Sequence, residues 1–436
     1  MAQLSEYDQL LLELVNRARL DPLGEAKRLG IGLNDGLPAG TISAASKQPL
    51  AGNPLLGDAA RGHSAYMLAH NQFAHSGIGD GDPTSRIVAA NYGLTGSWAT
   101  GENIAWTGTT GALDQLQFTR ALHDNLVHSA GHRENIMADM FRELGTGVLF
   151  GPFTSGGTTF NAAMATENFG LSGSAIFVTG VAIHDANHNN FYDLGEAQAN
   201  ISVSVTTAGA ADGTATTATA GGYSAATGAG VHHVTFSGGG LASSVSAAIT
   251  GGARNVKVDL VDGNKILSSA SAALGSGTKD LVLLGIDKIS GTGNDVANAI
   301  VGNKAGNVLS GLGGNDVLTG ALGRDVLTGG AGNDRFDFNA IGETSKAAAT
   351  RDVVTDFSHG HDKIDLATID ARTTAAGNQA FKFIAQQAFH HKAGELHVVK
   401  LAGHSVVEGD VNGDGHADFQ IDLKGSVFLT AVDFVL

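Results

Sequence analysis

Apolar and polar residues follow three different periods along the chain, and each period predicts a different element. Within residues 5–19, Leu10 and Leu14 fall on one face of a helical wheel, which predicts an amphipathic helix. A second helical pattern covers residues 54–71. From residue 171 onwards, short runs such as ISVSVTT and VHHVTF alternate with period two, and they predict the strands of a small β-sandwich.

The third period is nine residues long and runs from Gly302 to Asp337. The blocks read GNKAGNVLS, GLGGNDVLT, GALGRDVLT and GGAGNDRFD. A polar residue recurs in each block, at Asn307, Asp316, Asp325 and Asp334, and a large apolar residue follows two positions later, at Leu309, Leu318, Leu327 and Phe336. A flexible Gly/Asn/Asp linker would have no reason to keep these apolar residues in phase. The repeat therefore predicts stacked short strands with an apolar interior.

These blocks resemble the glycine-rich RTX repeat G-G-x-G-x-D-x-U-x, in which U is a large apolar residue. The resemblance implies a parallel β-roll that binds Ca²⁺ between neighbouring turns. The glycines are expected to allow positive φ and turn carbonyl oxygens inward, and the aspartates supply carboxylates. The predicted ligands are Gly311, Gly313, Asp316, Gly320, Asp325, Gly329, Gly330, Gly332 and Asp334. Asn298 and Asn307 occupy the Asp phase of the first turns, and Arg324 precedes Asp325, so only the turns around Asp316, Asp325 and Asp334 are expected to bind well.

Composition limits the class of protein. The chain has 436 residues, which predicts two to four domains. It contains no cysteine, so disulfide-stabilised folds are excluded. A formal net charge of -16 argues against a nucleic-acid partner and suits an acidic surface that binds calcium. No segment is long and apolar enough to predict a transmembrane helix.

Three motifs in the first 170 residues carry candidate chemistry. They are FAHSG with His75, GENIAW with Glu102, and LHDNLVHSAGHRENIM with His132. Two imidazoles and a carboxylate can coordinate Zn²⁺ with one position left for water, share protons as an acid/base pair, or simply line a binding cleft. Glu102 would orient an imidazole or bind the metal directly. His128 and His132 lack the Glu of HExxH, and no G-x-S-x-G motif or P-loop is present, so we expect a binding protein more than an enzyme.

The order of these motifs resembles the CAP superfamily in its cysteine-free bacterial form. The resemblance implies an α-β-α sandwich whose cleft holds two His and two acidic residues, with His75, Glu102 and His132 as matched positions. Many eukaryotic members have a Glu three residues before the last His, where this chain has Ser129. Three nearby residues are candidates for the fourth group: Asp124, His128 and Glu134. Ser64, on the second predicted helix, is expected at the surface.

At the start of the sandwich lies a second candidate calcium loop, DANHNNFYDLGE. Its oxygen-bearing positions have the spacing of an EF-hand loop: Asp185, Asn187, Asn189, the Phe191 carbonyl, Asp193 and Glu196. Asn190 replaces the usual glycine and tolerates the left-handed conformation needed there. The string also resembles the opening of SdrD B-like and Cna B-like repeats of bacterial surface proteins, which implies an Ig-like rigid spacer. An acidic turn without metal is the alternative.

A third loop lies in the C-terminal region, in DVNGDGHADF. Asp410, Asn412, Asp414 and Asp418 occupy its first, third, fifth and ninth positions, but Ile421 stands at the twelfth and the acid comes one residue later, at Asp422. A simple hairpin explains the same letters. The surrounding order, with DKIDL after the repeats, resembles the C-terminal domain of the serralysin metalloproteases, here without the protease.

The ends of the chain predict an exported protein. The N-terminal segment is an acidic amphipathic pattern and not a signal peptide. The final residues, Asp433-Phe434-Val435-Leu436, resemble the uncleaved C-terminal signal of proteins exported by bacterial type I systems. With the repeats, this implies an extracellular location and an ABC transporter as partner during export.

Together these patterns predict a multi-domain α+β protein. Residues 1–170 are expected to form a CAP-like α-β-α sandwich, residues 171–265 an Ig-like β-sandwich, and residues 266–436 a parallel β-roll with a serralysin-like cap. The predicted function is that of a secreted calcium-binding protein whose CAP domain binds an extracellular lipid, glycan or peptide. A metal-dependent hydrolase using the His/Glu cleft and a surface-layer or matrix protein are the alternatives.

Overall fold

The computed structural model describes residues 4–207 and 210–436. Met1–Ser244 with Thr250–Gly263 form one compact unit, and Val245–Ile249 with Asn264–Leu436 form the other. Residues 1–3 of the first predicted domain lie outside the described residues, and the division into three domains at residues 170 and 265 stays a prediction. Within the described residues, no helix has both the length and the apolar character needed to cross a bilayer.

The helices of the first unit begin and end where local signals place them. They are α1 Glu6–Leu20, α2 Pro22–Arg28, α3 Pro54–His70, α4 Pro83–Ala89, α5 Gln115–His128 and α6 Ala130–Met137. Ser5 and Asp8 form a reciprocal capping box at the start of α1. Asn53 caps α3, which ends at Asn71 in the left-handed conformation. Both helical patterns predicted from the sequence are therefore confirmed.

The N-terminal helices surround a sheet of four strands in the order β1-β3-β4-β2. The strands are β1 Ala51–Gly52, β2 Trp98–Thr109, β3 Glu143–Ser155 and β4 Thr158–Ser172. On one face, an added Cβ at Gly147 would lie 2.3 Å from the backbone nitrogen of Arg61, so α3 packs directly on the sheet. On the other face, the hydroxyl of Thr146 donates to the Asp8 carbonyl of α1 at 2.9 Å. The result is a three-layer α-β-α arrangement.

Residues 176–261 are called the β-module below, and all of them except Val245–Ile249 belong to the first unit. Its strands are β5 Ile176–Ile183, β6 Ile201–Thr207, β7 Ala210–Thr216, β8 Gly222–Thr227, β9 Gly230–Gly238, β10 Val245–Gly252 and β11 Val256–Val261. β5 lies between antiparallel β8 and parallel β11. β6 lies between antiparallel β7 and β9. Val203 and Val205 are buried while Ser202 is exposed, as the period of two predicts.

The second unit is built mainly from parallel strands. They are β12 Lys265–Ser268, β13 Ser271–Leu274, β14 Asp280–Leu283, β15 Ser290–Thr292, β16 Ala299–Val301, β17 Val308–Gly313, β18 Val317–Thr319, β19 Val326–Ala331, β20 Arg335–Asp337, β21 Asp352–Val354, β22 Lys363–Asp365, β23 Lys382–Phe383, β24 Glu395–Leu401, β25 His404–Asp410, β26 Phe419–Lys424 and β27 Phe434–Val435. Two short 3-10 helices cover Ile341–Glu343 and Ala431–Asp433.

Even-numbered strands from β12 to β22 form one parallel ladder that ends at β27, and odd-numbered strands from β13 to β21 form the other. Leu309 pairs with Leu327 and Leu318 with Phe336, so each full turn contains two nine-residue blocks. All four side chains are fully buried between the ladders. The predicted apolar interior of the roll is thereby confirmed.

Candidate functional site

The cleft of the N-terminal region is organised by Glu102, which lies on β2. Its Oε1 lies 2.8 Å from Nδ1 of His75, in the loop between α3 and α4. Its Oε2 accepts from Nη2 of Arg86 on α4 at 2.6 Å. The Glu102 side chain is only 2% exposed, whereas that of His75 is 50% exposed. The carboxylate therefore orients the imidazole and leaves the outer face of the ring open to a ligand.

A second carboxylate enters the cleft from the loop before α4. Oδ2 of Asp80 lies 2.6 Å from Nδ1 of His63 and 3.1 Å from Nη1 of Arg86. The His63 side chain is fully buried on α3; its Nε2 has no hydrogen-bond partner and lies 3.9 Å from Oε1 of Glu102. Arg86 thus links the two carboxylates, and two imidazoles lie beside them.

His132 lies on α6 at the same cleft and is half-buried. Burial lowers the pKa of His132, and the charge of nearby His75 lowers it further. The carbonyl of His132 accepts from Asn103, which also donates to Oε2 of Glu167 at 3.0 Å. Burial raises the pKa of Glu167 to about 7, against the lowering effect of that hydrogen bond. Burial and the charge of His75 therefore both favour the neutral form of the His132 ring.

The three candidates near Ser129 differ in their surroundings. Asp124 forms an ion pair with Arg28 of α2, and both His128 and Glu134 are exposed. The second carboxylate of the cleft is Asp80, which the sequence analysis missed. The sequence signal that could have identified Asp80 is its position in an acidic loop five residues after His75.

Ser64 corrects the sequence-based expectation of a surface position. It is fully buried, and its hydroxyl donates to the Gly147 carbonyl at 2.7 Å. Its neighbour His63 is also fully buried, behind Asp80, which lies 2.6 Å from its Nδ1.

A group of three possible metal ligands occurs elsewhere in the first unit. Within residues 4–207 and 210–436, the ligand atoms that all lie within 4.8 Å of one another belong to Glu25, His123 and Asp124. Arg28 contacts both carboxylates, and Arg17 donates to Glu25 at 3.1 Å. These two cations neutralise the acids, so the group does not suit a metal ion. His75, Glu102 and His132 do not form such a close group in the described part of the chain.

The loop from Asp185 to Glu196 folds around its own side-chain oxygens. The two carboxylate oxygens of Asp185, which is fully buried, accept from the backbone nitrogens of Asn189 and Asn190 at 3.0 and 2.9 Å. The other oxygen-bearing side chains of the loop also point inward. The side-chain amides of Asn187 and Asn189 donate to Asp193. The carboxylate of Glu196 accepts from the backbone nitrogens of Ala186 and Asp193. Asn190 has φ 54°, the left-handed conformation expected for that position.

The loop from Asp410 to Asp418 repeats this geometry in the second unit. Oδ1 of Asp410 accepts from Gly413 at 2.7 Å, and Oδ2 accepts from Gly415 at 2.9 Å. Asn412 donates to Asp418, as Asn187 does to Asp193. The loop lacks an acid that closes it, because Asp422 is held by Arg351 at 3.0 Å. Asp422 therefore does not replace the missing twelfth ligand.

In the roll, each repeat aspartate uses one oxygen to bind the neighbouring turn. Oδ1 of Asp316 accepts from the backbone nitrogen of Asn298 at 2.8 Å, and Oδ1 of Asp334 accepts from that of Asp316 at 2.9 Å, in both cases 18 residues earlier. Asp325 and Asp352 make the same type of contact. The aspartates therefore form columns along the roll.

The other oxygen of these aspartates is buried and has no hydrogen-bond partner among the residues that the structure describes. This holds for Oδ2 of Asp316, Asp325, Asp334 and Asp352. The pKa is raised to about 6 at Asp316, about 8 at Asp325 and about 7 at Asp352, mainly by burial. A nearby carboxylate contributes to each rise: Asp334 acts on Asp316, Asp352 on Asp325, and Glu343 on Asp352. Buried, unpaired carboxylate oxygens disfavour the folded state unless a cation binds them. The donor set is the one that Ca²⁺ prefers.

Gly311 shows the space available at such a site. A Cβ added there would lie 2.0 Å from Oδ2 of Asp316 and 2.5 Å from the Gly329 carbonyl oxygen. A carboxylate and a carbonyl oxygen thus converge on a gap that only a glycine leaves open. Asn298 and Asn307 differ, because each side-chain oxygen already accepts from the backbone nitrogen four residues earlier.

The repeat glycines serve two separate purposes. Gly330 and Gly332, with φ 101° and 151°, have the positive φ expected of the repeat. Gly311, Gly313, Gly320 and Gly329 do not lie in that region, which corrects the expectation. At Gly311, Gly320 and Gly329 a side chain would collide with an aspartate carboxylate, whereas Gly313 has no contact below 3.5 Å.

The paired parallel ladders and their columns of carboxylates define a glycine-rich β-roll protein. The model of the peptidase M10 serralysin C-terminal family matches residues 178–436. This is more than half of the chain, and the chain belongs to this family. The model of the cysteine-rich secretory protein family, CAP, matches residues 12–162. Both predicted resemblances are confirmed, and the two families together support a secreted calcium-binding protein. The resemblance of the β-module to SdrD B-like repeats stays a prediction, because the family model that matches most of these residues is the serralysin C-terminal one.

Solved structures with similarity to parts of the chain include three from bacterial proteins, two of them subunits of one epimerase. An extracellular protein containing an SCP domain from Bacillus anthracis is 22% identical with a TM-score of 0.24, covering 39% of this chain and 44% of that one. The AlgE6R3 subunit of the Azotobacter vinelandii mannuronan C5-epimerase is 22% identical with a TM-score of 0.22, covering 33% and 80%. The AlgE6R2 subunit is 25% identical with a TM-score of 0.24, covering 34% and 92%. The chain thus spans less than half of the Bacillus protein. No curated protein matches it.

Proposed function

We propose that this protein is secreted and folds its C-terminal roll on binding calcium outside the cell. The observation that carries this proposal is the set of buried oxygens without partners on Asp316, Asp325, Asp334 and Asp352. Without a cation these carboxylates oppose folding by desolvation and mutual repulsion. Bound calcium supplies the positive charge that the columns lack, and its binding free energy becomes folding free energy.

The same property suits export as an unfolded chain. Calcium is scarce inside cells, so the roll would stay loosely folded there and remain fit for a type I transporter. Outside the cell, millimolar calcium would drive folding of the roll, and the folded roll could not pass back through the transporter. We also propose calcium at the loop from Asp185 to Glu196, where the inward carboxylates have the EF-hand spacing. The loop from Asp410 to Asp418 is proposed as a weaker site, because no acid closes it.

For the N-terminal region we propose a ligand-binding cleft in which His75 and His132 contact an extracellular lipid, glycan or peptide. The exposed outer face of His75 supports this proposal. Both oxygens of Glu102 are used by His75 and Arg86, which supports ligand binding over direct metal coordination by this carboxylate. Metal-assisted hydrolysis would need Glu102 to leave Arg86.

One experiment tests the calcium proposal. Elemental analysis of the purified chain and thermal unfolding, with calcium and with a chelator, should show bound calcium and a roll transition at lower temperature after chelation. A triple Asn variant of Asp316, Asp325 and Asp334 should lose that calcium response. Equal unfolding in calcium and chelator for the native chain would reject the proposal.

A second experiment tests the cleft. We expect the native chain to carry no stoichiometric zinc, and His75→Ala/His132→Ala to unfold at nearly the native temperature, because His75 is half exposed. Zinc at near one equivalent that disappears in the double variant would instead support a hydrolase. Loss of binding to an array of lipids, glycans and peptides in the double variant would identify the ligand class.

A further inference from the structure

The loop from Asp185 to Glu196 lies directly against two helices of the N-terminal region. Nη2 of Arg120, on α5, donates to Oδ1 of Asp193 at 2.6 Å. The guanidinium of Arg17, on α1, lies 5.3 Å from the centre of the Phe191 ring. One arginine from each helix therefore contacts the loop, Arg17 at Phe191 and Arg120 at Asp193.

Tyr192, between these two loop residues, is inserted more deeply. Its side chain is 1% exposed, and its hydroxyl has no hydrogen-bond partner. Tyr192 therefore belongs to the packed interior of the first unit.

Asp193 divides its two oxygens between the loop and the helix. Oδ1 accepts from Arg120, while Oδ2 accepts from the side-chain amides of Asn187 and Asn189 inside the loop. A cation in the loop can therefore use the inner side of this carboxylate while the outer oxygen keeps its contact with α5. Without a cation, Asp185, Asp193 and Glu196 repel one another, and the loop loses the fixed geometry that presents Asp193.

Other contacts in the same unit do not depend on this loop. Nζ of Lys257, on β11, lies 2.7 Å from Oε2 of Glu13 and 2.5 Å from Oδ1 of Asp259, and all three side chains are buried. The amide of Asn255 donates to the Pro49 carbonyl at 2.9 Å. These contacts attach the β-module to the N-terminal region independently of the loop.

We propose that calcium in the loop from Asp185 to Glu196 acts as a clamp that holds α5 through the Asp193–Arg120 contact. This rests on the calcium site proposed above for that loop. α5 ends at His128 and continues through Ser129 into α6, which carries His132. Extracellular calcium thus orders the helix pair that presents one imidazole of the cleft, in addition to folding the roll.

Hydrogen exchange of the full chain, followed by mass spectrometry in millimolar calcium and in chelator, tests the clamp. We expect calcium to slow exchange of both the loop and α5 by about fivefold or more. Asp185→Ala should remove both effects. Arg120→Gln keeps every loop ligand, so calcium should still protect the loop but no longer α5. Asp410→Ala removes the equivalent residue of the other unit and should leave both effects intact.

The outcomes separate the clamp from the site on which it rests. Protection of the loop by calcium, with α5 exchanging equally in calcium and chelator, overturns the clamp and leaves the calcium site standing. No calcium effect on either segment of the native chain overturns both. Persistence of α5 protection in Arg120→Gln also overturns the clamp, because the loop would then act through another contact.

Discussion

Nη2 of Arg86 donates to Oε2 of Glu102 at 2.6 Å, and the side chains are 7% and 2% exposed. The same guanidinium contacts Asp80 and the His75 carbonyl. One buried cation therefore balances the buried carboxylate of Glu102 and the partly buried carboxylate of Asp80, and it also fixes the loop that carries His75. The cleft depends on Arg86 as much as on the imidazoles.

Replacing Arg86 by Ala should destabilise the N-terminal region strongly. Glu102 would remain buried without its cation, which typically costs about 3–5 kcal/mol. Denaturant unfolding in calcium, monitored by the Trp98 and Trp106 fluorescence of this region, measures the change. Lys27→Ala, an exposed residue of α2 without an ion pair, is the control and should change stability by less than about 0.5 kcal/mol. A similar small change for Arg86→Ala would mean that the carboxylates are paired elsewhere.

Glu167 should make the stability of the N-terminal region fall as the pH rises. Its pKa is about 7 in the folded state because of burial, and near 4.5 when unfolded. The unfolded chain therefore loses its proton first, and the free energy of unfolding should decrease by about 3 kcal/mol between about pH 4.5 and pH 7.

The Gln variant tests this assignment. Glu167→Gln keeps the shape without a titrating group, so this decrease should disappear. Glu134→Gln, at an exposed position of α6, should keep the native pH profile. Denaturant unfolding at a series of pH values provides the comparison, and identical slopes for native and Glu167→Gln chains would contradict the assignment.

Gly147→Ala should destabilise the fold by about 3 kcal/mol or more, because the new methyl group meets the backbone of α3. Gly131→Ala is a matched change on α6, where nothing lies within 4 Å of the added atom. Alanine there should stabilise by about 0.5–1 kcal/mol. Thermal unfolding of both variants checks the opposite signs. Tolerance of Gly147→Ala would show that α3 can move away from β3.

Asp325→Asn should affect the roll in opposite ways with and without calcium. In chelator the amide removes a buried carboxylate oxygen without a partner, so stability should be unchanged or higher. In calcium one ligand is lost, and the stabilisation should fall by about 2–3 kcal/mol if the native site is about 100-fold saturated. Calorimetry in both conditions measures this, with Asp295→Asn as an exposed control. A loss of equal size in chelator would point to a structural role instead of a calcium ligand.

The sequence predicted correctly those features of the roll that depend on local patterns. A nine-residue period places Leu309, Leu318, Leu327 and Phe336 inside, because two blocks complete each turn. Short-range spacing likewise predicted the left-handed Asn190. These features follow from neighbours along the chain, whose geometry the backbone itself fixes.

The cleft shows what the sequence could not determine. His75 and Glu102 were identifiable by motif, but Asp80, which shares Arg86 with Glu102, was not. The sequence does not show that Asp124 forms an ion pair with Arg28, because Arg28 is distant along the chain.

For the repeat aspartates and glycines as well, the sequence determined one part of the arrangement and the tertiary structure decided the other. The sequence by itself determined the spacing of Asp316, Asp325 and Asp334 and the presence of a glycine before each. Only the tertiary structure decided that one oxygen of each Asp bonds to another turn while the other lies free against a glycine. The physical reason is that charge balance and free space depend on groups brought together from distant positions, whereas helix caps, turns and apolar periodicity depend on groups a few residues apart.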